Sequence, residues 1–186
     1  MARARLIRAA AAVITLTLAP AAMAQQEGGV PEPDGYRGPP YFGEVPATLA
    51  GARVIDGAEA RRLHAAGVPF LDVYPRPTRP AGLPAGTLWR TPSHESIPGA
   101  LWLPGTGYER LTLPEAARLA AGLRAATGGD PAASVVIFCR ADCWQSWNAA
   151  RRAVAAGYRG ILWFPDGSEG WVAAGGMLDE IRPPGE

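Results

Sequence analysis

Cys139 and Cys143 stand in the segment CRADCWQSW and are the two cysteines of a 186-residue chain. Cys139 directly follows the apolar run Val135–Phe138, which reads as a central strand, and a helix follows the segment. A thiol at the carboxyl end of such a strand lies where unpaired backbone N–H groups and a helix N-terminal partial charge favour anions. Together with Arg140, these would lower the pKa of Cys139 and make it a nucleophile. The same loop amides would also favour a persulfide or an oxyanion. Two cysteines four apart in regular helix hold their Cβ atoms about 5–6 Å apart, too far for a disulfide, but a loop removes that obstacle. The spacing therefore permits a reversible bond, with Cys139 attacking and Cys143 resolving. It equally permits a static bridge, whose gain would be small because the ring it closes is short.

Other chemistries are less well served. The basic residues are all arginine, which excludes a lysine Schiff base and the lysine of a phosphate-binding P-loop. A zinc or copper site wants three or four ligands, and only His64 and His94 could join the cysteines, so no metal and no other cofactor is expected. Covalent haem attachment needs C-x-x-C-H, and here the spacing is longer and Trp144 follows. His64 reads as a surface or core residue of the first helix. His94 sits in a loop expected at the same sheet edge as the cysteines. Trp144 would wall the thiol pocket against water, and Asp72 and Asp142 read as hydrogen-bonding or capping groups.

The elements that must position these residues alternate from Ala52 onward. Residues 53–55 read as a short strand, Asp56 caps a helix to about Ala66, and Gly67 stops it. Residues 70–74 (FLDVY) form a buried strand, followed by a loop from Pro75 to Pro92 carrying five prolines. A short strand lies within 97–103, a helix spans 113–127 with Pro114 in its first turn, and Val135–Phe138 has the unbroken apolar character of a central parallel strand. A helix over 146–156, a strand over 161–164 and a short helix over 169–174 complete the pattern. The repetition predicts an α/β fold, an open and mostly parallel sheet with helices on both faces.

Residues 1–24 read as a secretion signal: Arg3, Arg5 and Arg8, an apolar run from Leu6 to Leu18, then Ala22-Met23-Ala24. Cleavage after Ala24 would leave 162 residues and, with three of the eighteen arginines gone, turn the net charge from +1 to −2. That balance argues against a nucleic-acid binder, and no membrane association is expected after cleavage. A chain of this size buries about 70% of the surface its unfolded form exposes, so its cysteines are not needed to hold the core. Export to the periplasm would place them in an oxidising compartment. Residues 25–51 are too rich in proline and glycine for helix or central strand and read as an extended arm. Tyr36, Tyr41, Phe42 and Val45 give that arm apolar handles on the domain surface.

The order FLDV (70–73), SIPGALWLPG (96–105), VVIFCRADCW (135–144) and ILWFPDGSEGW (161–171) resembles a single rhodanese-like domain spanning about 52–182. More narrowly, CRADCWQSWNAARRA with GYRGILWFPDGSEGW is similar to exported proteins with a cysteine–cysteine–tryptophan motif associated with pyrroloquinoline quinone (PQQ)-dependent alcohol catabolism. That similarity extends to the arm, GYRGPPYFGEVPATLAGA (35–52). The resemblance implies that Cys139 accepts a sulfane sulfur and passes it on. The chain departs from the family pattern in placing Trp144 where an arginine is usual, in adding Cys143, which could attack a Cys139 persulfide and release sulfide, and in carrying His94-Glu95-Ser96 before Ile97. The expectation is a periplasmic protein doing thiol redox or sulfur-transfer chemistry through Cys139 and Cys143, with Arg140, Asp142 and Trp144 binding and Asp72 and His94 in support. Its partner would be a small thiol or sulfane-sulfur substrate, or a periplasmic quinoprotein or redox protein. The alternative is a non-catalytic binding module braced by a Cys139–Cys143 disulfide.

Overall fold

The structure is a computed structural model that describes residues 29–90 and 92–184. The proposed secretion signal, residues 1–24, lies outside them. From residue 53 the chain forms β1 (Arg53–Val54), α1 (Gly57–Ala65), β2 (Phe70–Asp72), β3 (His94–Ser96), β4 (Leu101–Trp102), α2 (Leu113–Thr127), β5 (Val135–Phe138), α3 (Trp144–Ala155), β6 (Ile161–Phe164), α4 (Gly167–Ala173) and β7 (Asp179–Ile181).

Local chemistry explains the boundaries. The Asp56 side chain accepts from the Glu59 N–H and caps α1. Thr112 and Glu115 form a reciprocal capping box at the start of α2, with Pro114 in the first turn where its missing N–H costs nothing. Gly128 ends α2 in the left-handed conformation that favours glycine.

Five strands make one parallel sheet in the order β1-β6-β5-β2-β4, with Leu71, Ile137 and Trp163 in register across its centre. Side chains alternate between its faces. Val135, Ile137 and Cys139 join Trp163 and Ile161 in the cluster under α2 and α3, while Val136, Phe138, Leu162 and Phe164 face α1 and α4 with Ala60 and Trp171. The α/β fold with helices on both faces is as the sequence predicts. β2 and β5 are neighbours, yet the chain runs outward from β2 to β4 and returns through α2 to β5. The carboxyl ends of β2 and β5 therefore flank the point where strand order reverses, the usual ligand position in such sheets.

Two features differ from the sequence expectation. His94–Ser96 is not loop but pairs antiparallel with Asp179–Ile181 in a separate two-stranded ribbon. Helix α3 begins at Trp144, two residues earlier than the polar Gln145-Ser146 suggests, because its whole first half is buried.

Candidate functional site

β5 delivers Cys139 at its end, and the chain turns back over four residues to Cys143. Asp142 makes that turn with φ +52°, a left-handed conformation that aspartate tolerates better than most residues. The turn brings the two Cα atoms to 6.1 Å, inside the range a disulfide spans, and Cys139 and Cys143 are bonded. Both are buried, at 1% and 0% exposure, on the α2/α3 side of the sheet.

The helix start falls on Cys143 rather than on Cys139. Cys143 is the N-cap of α3, with an extended backbone and no side-chain capping hydrogen bond. Its carbonyl accepts from the Ser146 N–H at 3.2 Å and the Ser146 hydroxyl at 2.8 Å. Cys143 is thus the residue at the positive end of α3, and the Cys139 sulfur reaches that end through its bond to Cys143.

The loop is anchored to α4. The Cys139 carbonyl accepts from the Ser168 N–H at 3.0 Å, and the Glu169 carboxylate takes the Ala141 N–H at 2.9 Å and the Arg140 Nε at 2.7 Å. Burial pushes the Glu169 pKa up, but the hydrogen bonds from Ala141, Arg140 and Ser168 outweigh it and leave it below the ordinary value. Arg140 is thus committed to Glu169, and its own pKa is raised by that pairing first and by Tyr74 second. At Gly167, φ is +52° and a Cβ would collide with the Cys139 carbonyl, so α4 meets the loop at a position only glycine fills.

The arm crosses the loop on the other side. The Trp144 N–H donates to the Tyr41 carbonyl and the Gly43 N–H to the Asp142 carbonyl, each at 2.9 Å, so Phe42 and Cys143 pair as an antiparallel bridge. Buried Asn148 of α3 clasps Arg37 through both backbone groups, each at 2.9 Å, and spends its second amide hydrogen on the Gly107 carbonyl. Arg151 donates to the carbonyls of Pro33 and Asp34, and the Arg152 guanidinium lies 3.8 Å from the Tyr36 ring centre. Trp147 Nε1 donates to the Thr48 carbonyl at 3.3 Å. The arm lies on the domain, as its apolar handles suggest, and specifically over the cysteine pair.

The remaining expected residues divide by face. Trp144 is buried against Trp147 and lies beneath the Arg37 guanidinium, so it walls the disulfide from the arm side. Asp72 and His94 meet on the opposite side. Buried Asp72 accepts from the Tyr74 N–H at 2.8 Å and the Ser96 hydroxyl at 2.5 Å, and pairs with His94 Nε2 at 2.7 Å. His94 is stacked by Tyr74 and flanked by Trp102. Tyr74 and His94 border a cleft of about 620 Å³ lined also by Arg140, Glu169, Val172 and Leu178, into which neither cysteine opens. His94 thus reaches the expected sheet edge, but Asp72 and His94 are brought to each other and not to the sulfurs. Half-buried His64 packs against Phe70 and Trp171 on the α1/α4 side. No group of three or more metal-ligating side chains occurs among the described residues.

Two residues of the site escape sequence reasoning, Gln145 and Asn148, both fully buried in α3. Their signal is that Gln145, Ser146 and Asn148 are interleaved with Trp144 and Trp147 in the helix after the cysteine loop, so that polar and large apolar residues share its first turns.

No protein-family model and no curated protein matches the chain. Among solved structures, the rhodanese-like domain of an Anabaena protein, determined in solution by NMR, is similar at 16% identity and a TM-score of 0.42, over 74% of this chain and 87% of that one.

Proposed function

We propose that the chain is a rhodanese-like protein whose Cys139–Cys143 pair cycles between disulfide and dithiol. The observation that carries this reading is the bond itself, set at the strand-order reversal with Cys143 at a helix N-cap that makes no side-chain capping hydrogen bond. In the dithiol form Cys139 attacks a substrate disulfide, binding one sulfur and releasing the other as a thiolate. Cys143 then attacks Cys139, which re-forms the internal bond and expels the second thiolate. With a sulfane-sulfur donor, the Cys139 thiolate attacks the outer sulfur, the donor's bond to that sulfur breaks and the rest of the donor leaves as an anion; attack by Cys143 on Cys139 Sγ of this persulfide then forms the internal disulfide and expels sulfide. Arg140, Asp142 and Trp144 hold the loop and its surroundings in this scheme, and Asp72 and His94 shape the neighbouring cleft.

Export to the periplasm, with a small thiol, a sulfane-sulfur compound or a quinoprotein as partner in PQQ-dependent alcohol catabolism, belongs to this proposal and rests on the sequence resemblance. The redox equilibrium of the pair with glutathione tests the chemistry. A potential near those of thiol-exchange enzymes, about −120 to −270 mV, is expected, whereas a value below about −300 mV would mark a structural bond.

The burial of both sulfurs under the arm favours a second reading, a binding module braced by a permanent disulfide. In that case a Cys139→Ser/Cys143→Ser variant keeps every partner interaction of the wild type in a pull-down, and the thiol proposal fails.

A further inference from the structure

Gln145 lies two residues beyond Cys143 and is completely buried. Its Oε1 is 3.9 Å from Cys143 Sγ, and its Nε2 has no hydrogen-bond partner. A disulfide sulfur carries no proton to give Oε1 and is a poor acceptor for Nε2, so in the oxidised protein this amide makes no use of its place beside the sulfur. Buried amides without partners are uncommon because the lost hydration is not replaced. The other polar group next to Gln145 is the Tyr108 hydroxyl. Its pKa is raised by burial first and by Glu115 and Tyr41 next, against which the Gln145 amide pulls the other way. Tyr108 therefore stays protonated and keeps a hydrogen to donate.

We infer that Gln145 is the group that stabilises Cys143 as a thiolate, and so sets how oxidising the disulfide is. The inference rests on the thiol-exchange reading above. When an incoming thiolate attacks Cys139 Sγ, a new S–S bond forms to the attacking sulfur, the Cys139–Cys143 bond breaks, and its electron pair leaves on Cys143 Sγ. That anion appears at the N-cap of α3, where the first-turn N–H groups lack a side-chain acceptor. A half-turn about the terminal torsion of Gln145 exchanges its two ends. Nε2 then donates to the thiolate, and Oε1 turns to where it can accept from Tyr108. The amide, which has nothing to bond on the sulfur side in the disulfide state, gains a charge-assisted hydrogen bond there in the dithiol state. Stabilising the reduced form in this way raises the potential of the pair.

The test is redox equilibration of the full chain with glutathione at pH 7, in wild type, Gln145→Leu and the straight-chain Gln145→Met. Removing the amide is expected to shift the equilibrium at least tenfold toward the disulfide, about 30 mV for this two-electron couple. The thermal midpoints of the two redox forms give a second reading that survives a partly destabilised variant. The reduced form should lose more than the oxidised form, since only the reduced form offers the amide a thiolate to bond. Equal losses in both forms with an unchanged glutathione equilibrium would mean that Gln145 only fills space, and would overturn the inference while leaving the thiol reading intact. A wild-type bond that can be reduced only by unfolding the protein would overturn both.

Discussion

Asn148→Ala isolates what the arm does to the disulfide. The side chain makes three hydrogen bonds, two to the Arg37 backbone and one to the Gly107 carbonyl, all at 2.9 Å. Alanine keeps the helix-forming propensity of α3, so the substitution acts through those bonds. The bond to Gly107 is lost whether or not the arm is docked. The two to Arg37 exist only when it is docked, and at about 1 kcal/mol net each they contribute about 2 kcal/mol to docking. Since 1.4 kcal/mol is a factor of ten, the population with the arm lifted should rise about 30-fold. The backbone bridge between Phe42 and Cys143 means that the arm must move before a reductant reaches the sulfurs. Reduction by dithiothreitol, followed by alkylation and mass measurement, should therefore accelerate by about the same factor. A weak dependence of the rate on urea identifies arm lifting and not unfolding of the whole chain. An unchanged reduction rate in a variant whose urea midpoint has fallen would refute the reasoning, because the bond would then be reached by a route that leaves the arm in place.

Two further outcomes follow from the α4 side of the loop. Gly167→Ala forces a Cβ into the Cys139 carbonyl at a positive φ, and should lower stability by about 1–3 kcal/mol in urea unfolding, with the loop rather than the sheet losing amide-exchange protection. The Glu169 pKa is lower in the folded chain than its ordinary value of 4.5, so its contribution is complete above that value and is lost as the pH falls through the folded pKa. Glu169→Gln should therefore flatten the decline in stability below about pH 4.5, which unfolding midpoints at pH 7 and pH 3 will show.

Much of the fold can be read along the chain because its signals are local. Val135–Phe138 has no polar residue to alternate with, which matches a strand buried on both faces, and Pro114 marks a helix start by its fixed backbone angle. The ribbon of β3 and β7 is invisible by the same logic. His94-Glu95-Ser96 and Asp179-Glu180-Ile181 carry one β-branched residue between them, Ile181, and each becomes a strand only through a partner more than eighty residues away. Cys139 and Cys143 announce their chemistry by residue type. Which sulfur receives the helix field depends on where α3 begins, and that is decided by burial from the arm and the sheet together. Alternation along β2 and β5 explains why Asp72 and Cys139, at neighbouring strand ends, serve different faces. Sequence order places both at one edge but does not fix the register that separates them.

The arm's partners lie far along the chain: Arg37 is 111 residues from Asn148, and Pro33 is 118 from Arg151, whereas the disulfide closes across a separation of four. Bringing distant segments together carries the larger loop-closure cost and comes late in folding, while short-range contacts form early. The five-residue ring of the disulfide closes at much lower entropic cost than the docking of the arm, so the bond does not need the arm in place to form, and lifting the arm uncovers the sulfurs without undoing it.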